Sequence, residues 1–337
     1  MVAAFVLWPW LWPAPIERLR QIASRLAEFP TGFDVLYFGR LHSSSAVPWH
    51  YTIGSLLVAT PMIVTVLANA GITEIAIDRD PPRRRLATLA LVWIVSLLVL
   101  DGIAAFHYDG VRHVLAVLPA IALLAALGAD RLRSWVAASQ RRRASPRLAA
   151  AASILVLLLP AAAIAVDLAR LHPYEDAYLA PLVRRLDPGA MEQRFEIEYW
   201  GSSYREVARW LDRNAERGAS IIAPIAPHCL APYVRSDLEV HERMRPRLAA
   251  ERHPYLVFIT REAWYAPLGL EGVVATGPPL YSVRTSLGTL ALVYRPEQVP
   301  RQLTRPGGPR STRPSTVEPS PRAEPSAGGR RRRDQRR

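Results

Sequence analysis

At 337 residues the chain is long enough for two domains, and a mean hydropathy of +0.07 averages an apolar first half with an ordinary polar second half. Its formal charge is +13 and every basic residue is arginine; eleven arginines against three acids after position 300 put +8 of that charge in the tail, so the balance is no sign of a nucleic-acid groove. The single cysteine, Cys229, excludes an internal disulfide and a cysteine-based zinc site.

The first apolar run, 2–12, is too short to cross a bilayer and has no basic flank, so it reads as the end of a partial span and not as a signal peptide. Residues 16–29 follow with Ile16, Leu19, Ile22, Ala23, Leu26 and Phe29 on one helical face and arginines opposite, an amphipathic helix suited to lie in the membrane interface. Trp8, Trp10, Trp12 and Trp49 fit an aromatic belt at that depth.

Four apolar segments have the length of membrane spans, at about 51–70, 86–106, 111–129 and 148–166. Pro48 and Pro61 shape the entry and kink of the first, and Asp101 interrupts the second near its end. Between the first and second lie Arg79, Arg83, Arg84 and Arg85; between the third and fourth lie Arg131, Arg133, Arg141, Arg142, Arg143 and Arg147. Two spans separate these loops, so both fall on one side, and their arginines make it the cytoplasmic side. The loop at 14–50, the turn at 107–110 and everything after Asp167 then face outward. Residues 1–170 are thus expected to form a multi-pass α-helical membrane domain.

Residues 171–297 read as a small extracytoplasmic α/β domain. Ser203-Tyr-Arg-Glu206 has the spacing of a capping box, Tyr204, Val207, Ala208 and Leu211 recur on one helical face, and Gly218 is the expected stop. Strand-like runs follow at 220–226, 255–260, 280–284 and 289–294, the last two around a turn at 285–288. Residues 298–337, rich in Pro, Ser, Gly and Arg, read as a disordered basic tail.

Several stretches, in this order, resemble the C-terminal half of bacterial family 39 glycosyltransferases of the GT-C superfamily, relatives of protein O-mannosyltransferases and of the lipid A aminoarabinose transferase. They are Trp8-Pro-Trp-Leu-Trp-Pro13, Val47-Pro-Trp-His-Tyr51, Asp109-Gly-Val-Arg-His113 with Leu115-Ala-Val-Leu-Pro119, His172-Pro-Tyr-Glu175, and Phe195-Glu-Ile-Glu-Tyr-Trp-Gly-Ser-Ser-Tyr-Arg-Glu206. The resemblance implies a cell-membrane enzyme that takes a sugar from a polyprenyl-phosphate donor on the outer face. It also implies that the catalytic acids, in some relatives with a divalent metal, belong to an N-terminal half that precedes the matching stretches. No catalytic residue or metal ligand is assigned here. The partners implied are the lipid-linked sugar donor, membrane lipids and a chain carrying the N-terminal half.

Within that frame Arg112 and His113 stand at the outer mouth of a span, where a lipid phosphate would lie, with Asp109 beside them. Arginine suits phosphate because its planar fork offers parallel charge-assisted hydrogen bonds; the ordinary alternative is an arginine snorkelling at a helix end. His50 and Tyr51 form either an interfacial anchor or a loop that closes over the donor headgroup. The rival to an enzyme is a non-catalytic membrane scaffold or a relic without the acidic loop. Tyr199–Tyr204 reads as a glycine turn with core aromatics, and His228 and Cys229, in a loop, make a poor metal site.

Overall fold

A computed structural model describes residues 8–27, 33–77, 80–104, 107–141, 145–186, 191–242, 254–275 and 277–295. Of the partial span at 2–12 only the end is described, with a 3-10 turn at Pro9–Leu11; the basic tail at 298–337 lies outside the described residues. Helix α1, Pro15–Ala27, forms the amphipathic segment, whose expected last residues, 28 and 29, also lie outside them. Its Ile16 and Leu19 are exposed together with Trp8, Trp10, Trp12 and Trp49, and the Arg18 guanidinium stacks on Trp10, 4.7 Å from the ring centre.

A hairpin not expected from the sequence comes next, β1 (Asp34–Tyr37) paired antiparallel with β2 (Arg40–Ser43). Phe38 and Gly39 make the two-residue turn with φ of 49° and 74°, the left-handed geometry whose twist matches antiparallel strands. Val35 and Tyr37 are buried in the core of the sheet domain, and an isolated bridge joins Tyr37 to Phe195.

The kink expected at Pro61 in the span at 51–70 is a full break. The segment forms two helices, α2 (Tyr51–Ala59) and α3 (Met62–Ile72, with a further turn Glu74–Ile77), bent by 115°. The cause is local: a residue before proline is driven out of the helical region, and Thr60 is extended with ψ of 133° while Pro61 follows with ψ of 127°. The carbonyl of Val58, freed by the break, accepts the Ala180 N–H at 2.8 Å.

Three helices are long and apolar enough to cross a membrane, with the broken pair as a fourth candidate. α4 (Pro81–Gly102) begins five residues before the expected span and carries Arg83, Arg84 and Arg85 in its first turns. A 3-10 stretch, Arg112–Val117, leads into α5 (Leu118–Arg141), and α6 (Pro146–Leu171) follows. α4 and α6 leave Leu89, Val92, Val95, Val99, Ile154, Leu155, Leu158 and Leu159 exposed, a surface compatible with lipid. α3 and α5 touch backbone to backbone: a Cβ on Gly71 would overlap the Leu124 carbonyl, and one on Gly128 the Leu67 carbonyl. Small residues at such a crossing let dispersion contacts replace the hydrophobic drive that lipid abolishes.

The sheet domain adds α7 (Tyr204–Asn214) and strands β3 (Ser220–Ile222), β4 (Glu239–His241), β5 (Tyr255–Ile259), β6 (Tyr281–Thr285) and β7 (Gly288–Tyr294). The sheet order is β4-β3-β5-β7-β6, with β3 parallel to β4 and β5, and β7 antiparallel to β5 and β6. The expected hairpin is β6–β7; the expected strand at 220–226 stops at Ile222, and β4 was not expected. All five residues of β5 are buried, and Leu171 at the end of α6 shares the same core. The sheet therefore sits at the end of the helices where α4 and α6 finish. At the opposite end Arg83 and Arg133 hold Asp130, and Arg131 holds the buried Glu74 at 3.1 Å.

The capping box is corrected too. Ser203 occupies the N-cap position without a side-chain cap bond, and its buried hydroxyl has no partner. Glu206 instead accepts the hydroxyls of Tyr174 and Tyr281. The cap is Glu198, whose carboxylate receives the N–H groups of Trp200, Gly201 and Ser203 and the Ser202 hydroxyl at 2.7–3.1 Å. The helix also ends at Asn214, four residues before Gly218. Replacing Glu198 with Ala is therefore expected to destabilise the domain by about 2 kcal/mol or more, whereas Ser203→Ala should change little. Unfolding midpoints in detergent check this contrast, and equal losses in the two variants would refute it.

Candidate functional site

The sheet meets the helices at a buried ionic cluster. Its centre is Asp109, in the turn between α4 and the 3-10 stretch, with φ of 54° and 2% exposure. Aspartate tolerates the left-handed region better than most residues, and a strained residue held there by its surroundings marks a place where the fold is over-determined. Arg261, directly after Thr260 at the end of β5, donates from Nη2 to Asp109 Oδ1 and from Nε to Glu196 Oε1 at 3.3 Å. Arg112 donates to Asp109 Oδ2 at 2.8 Å. Two guanidinium groups thus face two carboxylates, the arrangement that makes buried charge tolerable.

The members differ in their access to solvent. The side chains of Asp109, Arg261 and Glu196 are 3%, 8% and 4% exposed, while that of Arg112 is 42% exposed. One face of the Arg112 guanidinium lies over Trp200, 4.6 Å from the ring centre, and the Arg261 guanidinium lies over Trp264 at 4.8 Å. Burial pushes Glu196 up to about 7; Arg261 works against the rise and Asp109 adds to it. Arg261 itself is penalised by burial, yet Glu196 and Asp109 hold its pKa above the ordinary value. Glu196 Oε2 makes no hydrogen bond of good geometry, although the Leu36 backbone N–H lies close enough to favour the carboxylate's anion.

The residues expected from the sequence fall into two groups. Arg112 and Asp109 come together in the cluster, and His113 is exposed beside them with its ring 4.4 Å from Tyr108, edge to face. His50 lies apart, bonded through Nδ1 to the Tyr37 hydroxyl at 3.0 Å. Tyr51 is buried, 3% exposed, and its hydroxyl accepts the Gly110 N–H at 3.1 Å. It pins the turn that carries Asp109 and Arg112. Asp101, which interrupts the second apolar segment near its end, ties α4 to α2 by accepting the Thr52 hydroxyl at 2.6 Å. The expected loop at His228 and Cys229 is a helical turn, Pro227–Leu230, and no metal-binding group occurs among the described residues.

Arg261 and Glu196 were not anticipated, and Trp200, expected as a core aromatic, is 43% exposed. Arg261 is the first charge after a fully apolar strand, and Glu196 is an acid inside Phe195-Glu-Ile-Glu-Tyr199; both patterns are faint signals of buried charge. Around Glu196 lies a cavity of about 50 Å³ whose wall includes Tyr37, Tyr51, Asp176 and Tyr199. Asp176, an exposed member of its wall, accepts the Ser202 hydroxyl at 3.0 Å and is pushed up to about 6 by burial and by Glu198. Comparison of the chain with family models, with curated proteins and with solved structures gave no match.

Proposed function

We propose that this chain works in the cell membrane as part of a glycosyltransferase, transferring a sugar from a polyprenyl-phosphate carrier to an acceptor on the outer face. The observation that supports this best is Arg112. It is a half-exposed cation at the sheet-side end of a long apolar helix, with one guanidinium face on Trp200 and one edge on Asp109. Its remaining N–H groups are free to bond a phosphate, while the carrier's chain runs along the exposed apolar surfaces of α4 and α6. Trp200 beside the cation offers the flat apolar surface on which a sugar ring stacks.

The outward position of the sheet is part of the proposal. It is supported by Arg83, Arg84, Arg85, Arg131, Arg133 and Arg147, which cluster at the end of the helices away from the sheet, as the cytoplasmic end of a membrane protein would require. In this scheme Asp109 and Tyr51 position Arg112, and His113 stands beside it.

Arg112→Ala should weaken binding of polyprenyl monophosphate to the detergent-solubilised chain by about 1.5–3 kcal/mol, roughly ten- to a hundredfold. Arg112→Lys should recover only part of the loss, because a point charge cannot reproduce the fork. Unchanged affinity in Arg112→Ala would favour the second reading, a non-catalytic scaffold in which the Arg112–Asp109 pair simply fastens the helices to the sheet.

A further inference from the structure

The cavity beside the ionic cluster has room for roughly three waters or one small polar group, and its wall combines Tyr37, Tyr51, Ser55, Asp176, Glu196 and Tyr199. Glu196 is the one of these whose carboxylate is divided. Oε1 is engaged by Arg261, while Oε2 is buried and makes no hydrogen bond of good geometry, with only the Leu36 backbone N–H near the carboxylate. Gly110 and Val111 line the same cavity, so one wall is the turn that leads directly to Arg112.

We propose that Glu196 is a base that takes the proton from a hydroxyl entering this cavity, freeing that oxygen to attack the anomeric carbon of a sugar held at Arg112. The proposal rests on the sugar-transfer function above and adds to it a proton acceptor from this chain. Glu196 Oε2 gains the proton as the new carbon–oxygen bond forms. The bond from the anomeric carbon to the phosphate oxygen breaks, and its electron pair leaves with the lipid phosphate. The proton then passes from Glu196 to the departing phosphate, which restores the carboxylate.

A base for this step must be ionised for part of the time near neutral pH and must keep its proton out of bulk water. The charged and titratable groups that act on Glu196 are Arg261 after β5, Asp109 in the turn, Tyr51 at the start of α2, and Tyr199 just along its own segment. Burial outweighs the pull of Arg261, so the carboxyl titrates around neutrality and its anionic fraction rises with pH.

The test uses the full chain in proteoliposomes with two independent measurements. The first is labelling by a hydrophobic carbodiimide, which attacks a protonated carboxyl in an apolar site, followed by peptide mass spectrometry. Glu196 should be modified at pH 6, the yield should fall as pH rises through about 7, and Glu196→Gln should abolish the adduct. Absence of the adduct at pH 6 in the folded protein overturns the assignment. The second measurement is transfer from polyprenyl-phosphate sugars beside binding of polyprenyl monophosphate. Glu196→Gln, which keeps an acceptor oxygen for Arg261, should lower kcat roughly 100- to 10,000-fold, remove the acid limb of the pH profile and leave lipid-phosphate affinity unchanged. Retained kcat in Glu196→Gln overturns the base. Labelling with no lipid-phosphate binding and no transfer sinks the sugar-transfer function itself, and the base role with it. Binding without labelling sinks only the base.

Discussion

Replacing Arg261 with Met is expected to destabilise the protein by about 3–5 kcal/mol, because the substitution strands Glu196 without a cation and leaves Asp109 with one in place of two. Asp109 would keep Arg112, whose side chain is 42% exposed and therefore partly screened. Glu196 would lose the cation that opposes its rise, and its pKa would climb further above the usual carboxylate range. The discriminating control is the double variant Glu196→Gln, Arg261→Met. With only the Asp109–Arg112 pair left in the cluster, much of the loss should return. Denaturant unfolding in detergent measures both. A single variant as stable as the parent would mean that water enters the cluster freely.

The second large effect is expected at the α3–α5 crossing. Gly128→Val places a side chain where the Leu67 carbonyl and the Gly71 amide already lie, and neither is a flexible side-chain end that could swing aside. The helices must separate, with loss of the packing around Ala68, Ala125 and Leu124. Overpacking of this kind costs about 3 kcal/mol, and here the backbone itself must move. Gly102→Ala is the control, since a Cβ there meets nothing within 4 Å; its effect should be small. Thermal aggregation of the detergent-solubilised variants reports the difference. Equal midpoints for the two variants would show that the crossing tolerates a wider spacing.

The long helices were legible because about 20 apolar residues in a row admit few alternatives, and α4, α5 and α6 lie where the apolar runs are. The break at Pro61 was legible as a proline, but not its 115° angle. Proline removes a hydrogen bond and biases its predecessor, and the direction the chain then takes depends on what it packs against, here the segment at Ala180. Ser203-x-x-Glu206 has correct local spacing, yet Tyr174 and Tyr281 claim Glu206 from 32 and 75 positions away. The cap passes to Glu198, five residues before the N-cap serine. The hairpin at 34–43 carried a readable turn, Phe38-Gly39, that was absorbed into a polar loop. Asp109 was legible beside Arg112, but not its pairing with Arg261, 152 residues away. Local periodicity finds elements; it has no access to pairings of that span.

That span has a consequence for assembly. A ribosome adding roughly 5–20 residues per second needs on the order of ten seconds to travel from Asp109 to Arg261. During that interval the early hairpin, with Val35 and Tyr37 destined for the late-made core, has only neighbours such as His50 and Tyr51 to lean on, and Asp109 has only Arg112 as a counter-ion from the cluster. The nascent helices must therefore survive as a half-finished platform, and a chaperone that shields the hairpin would act in that window.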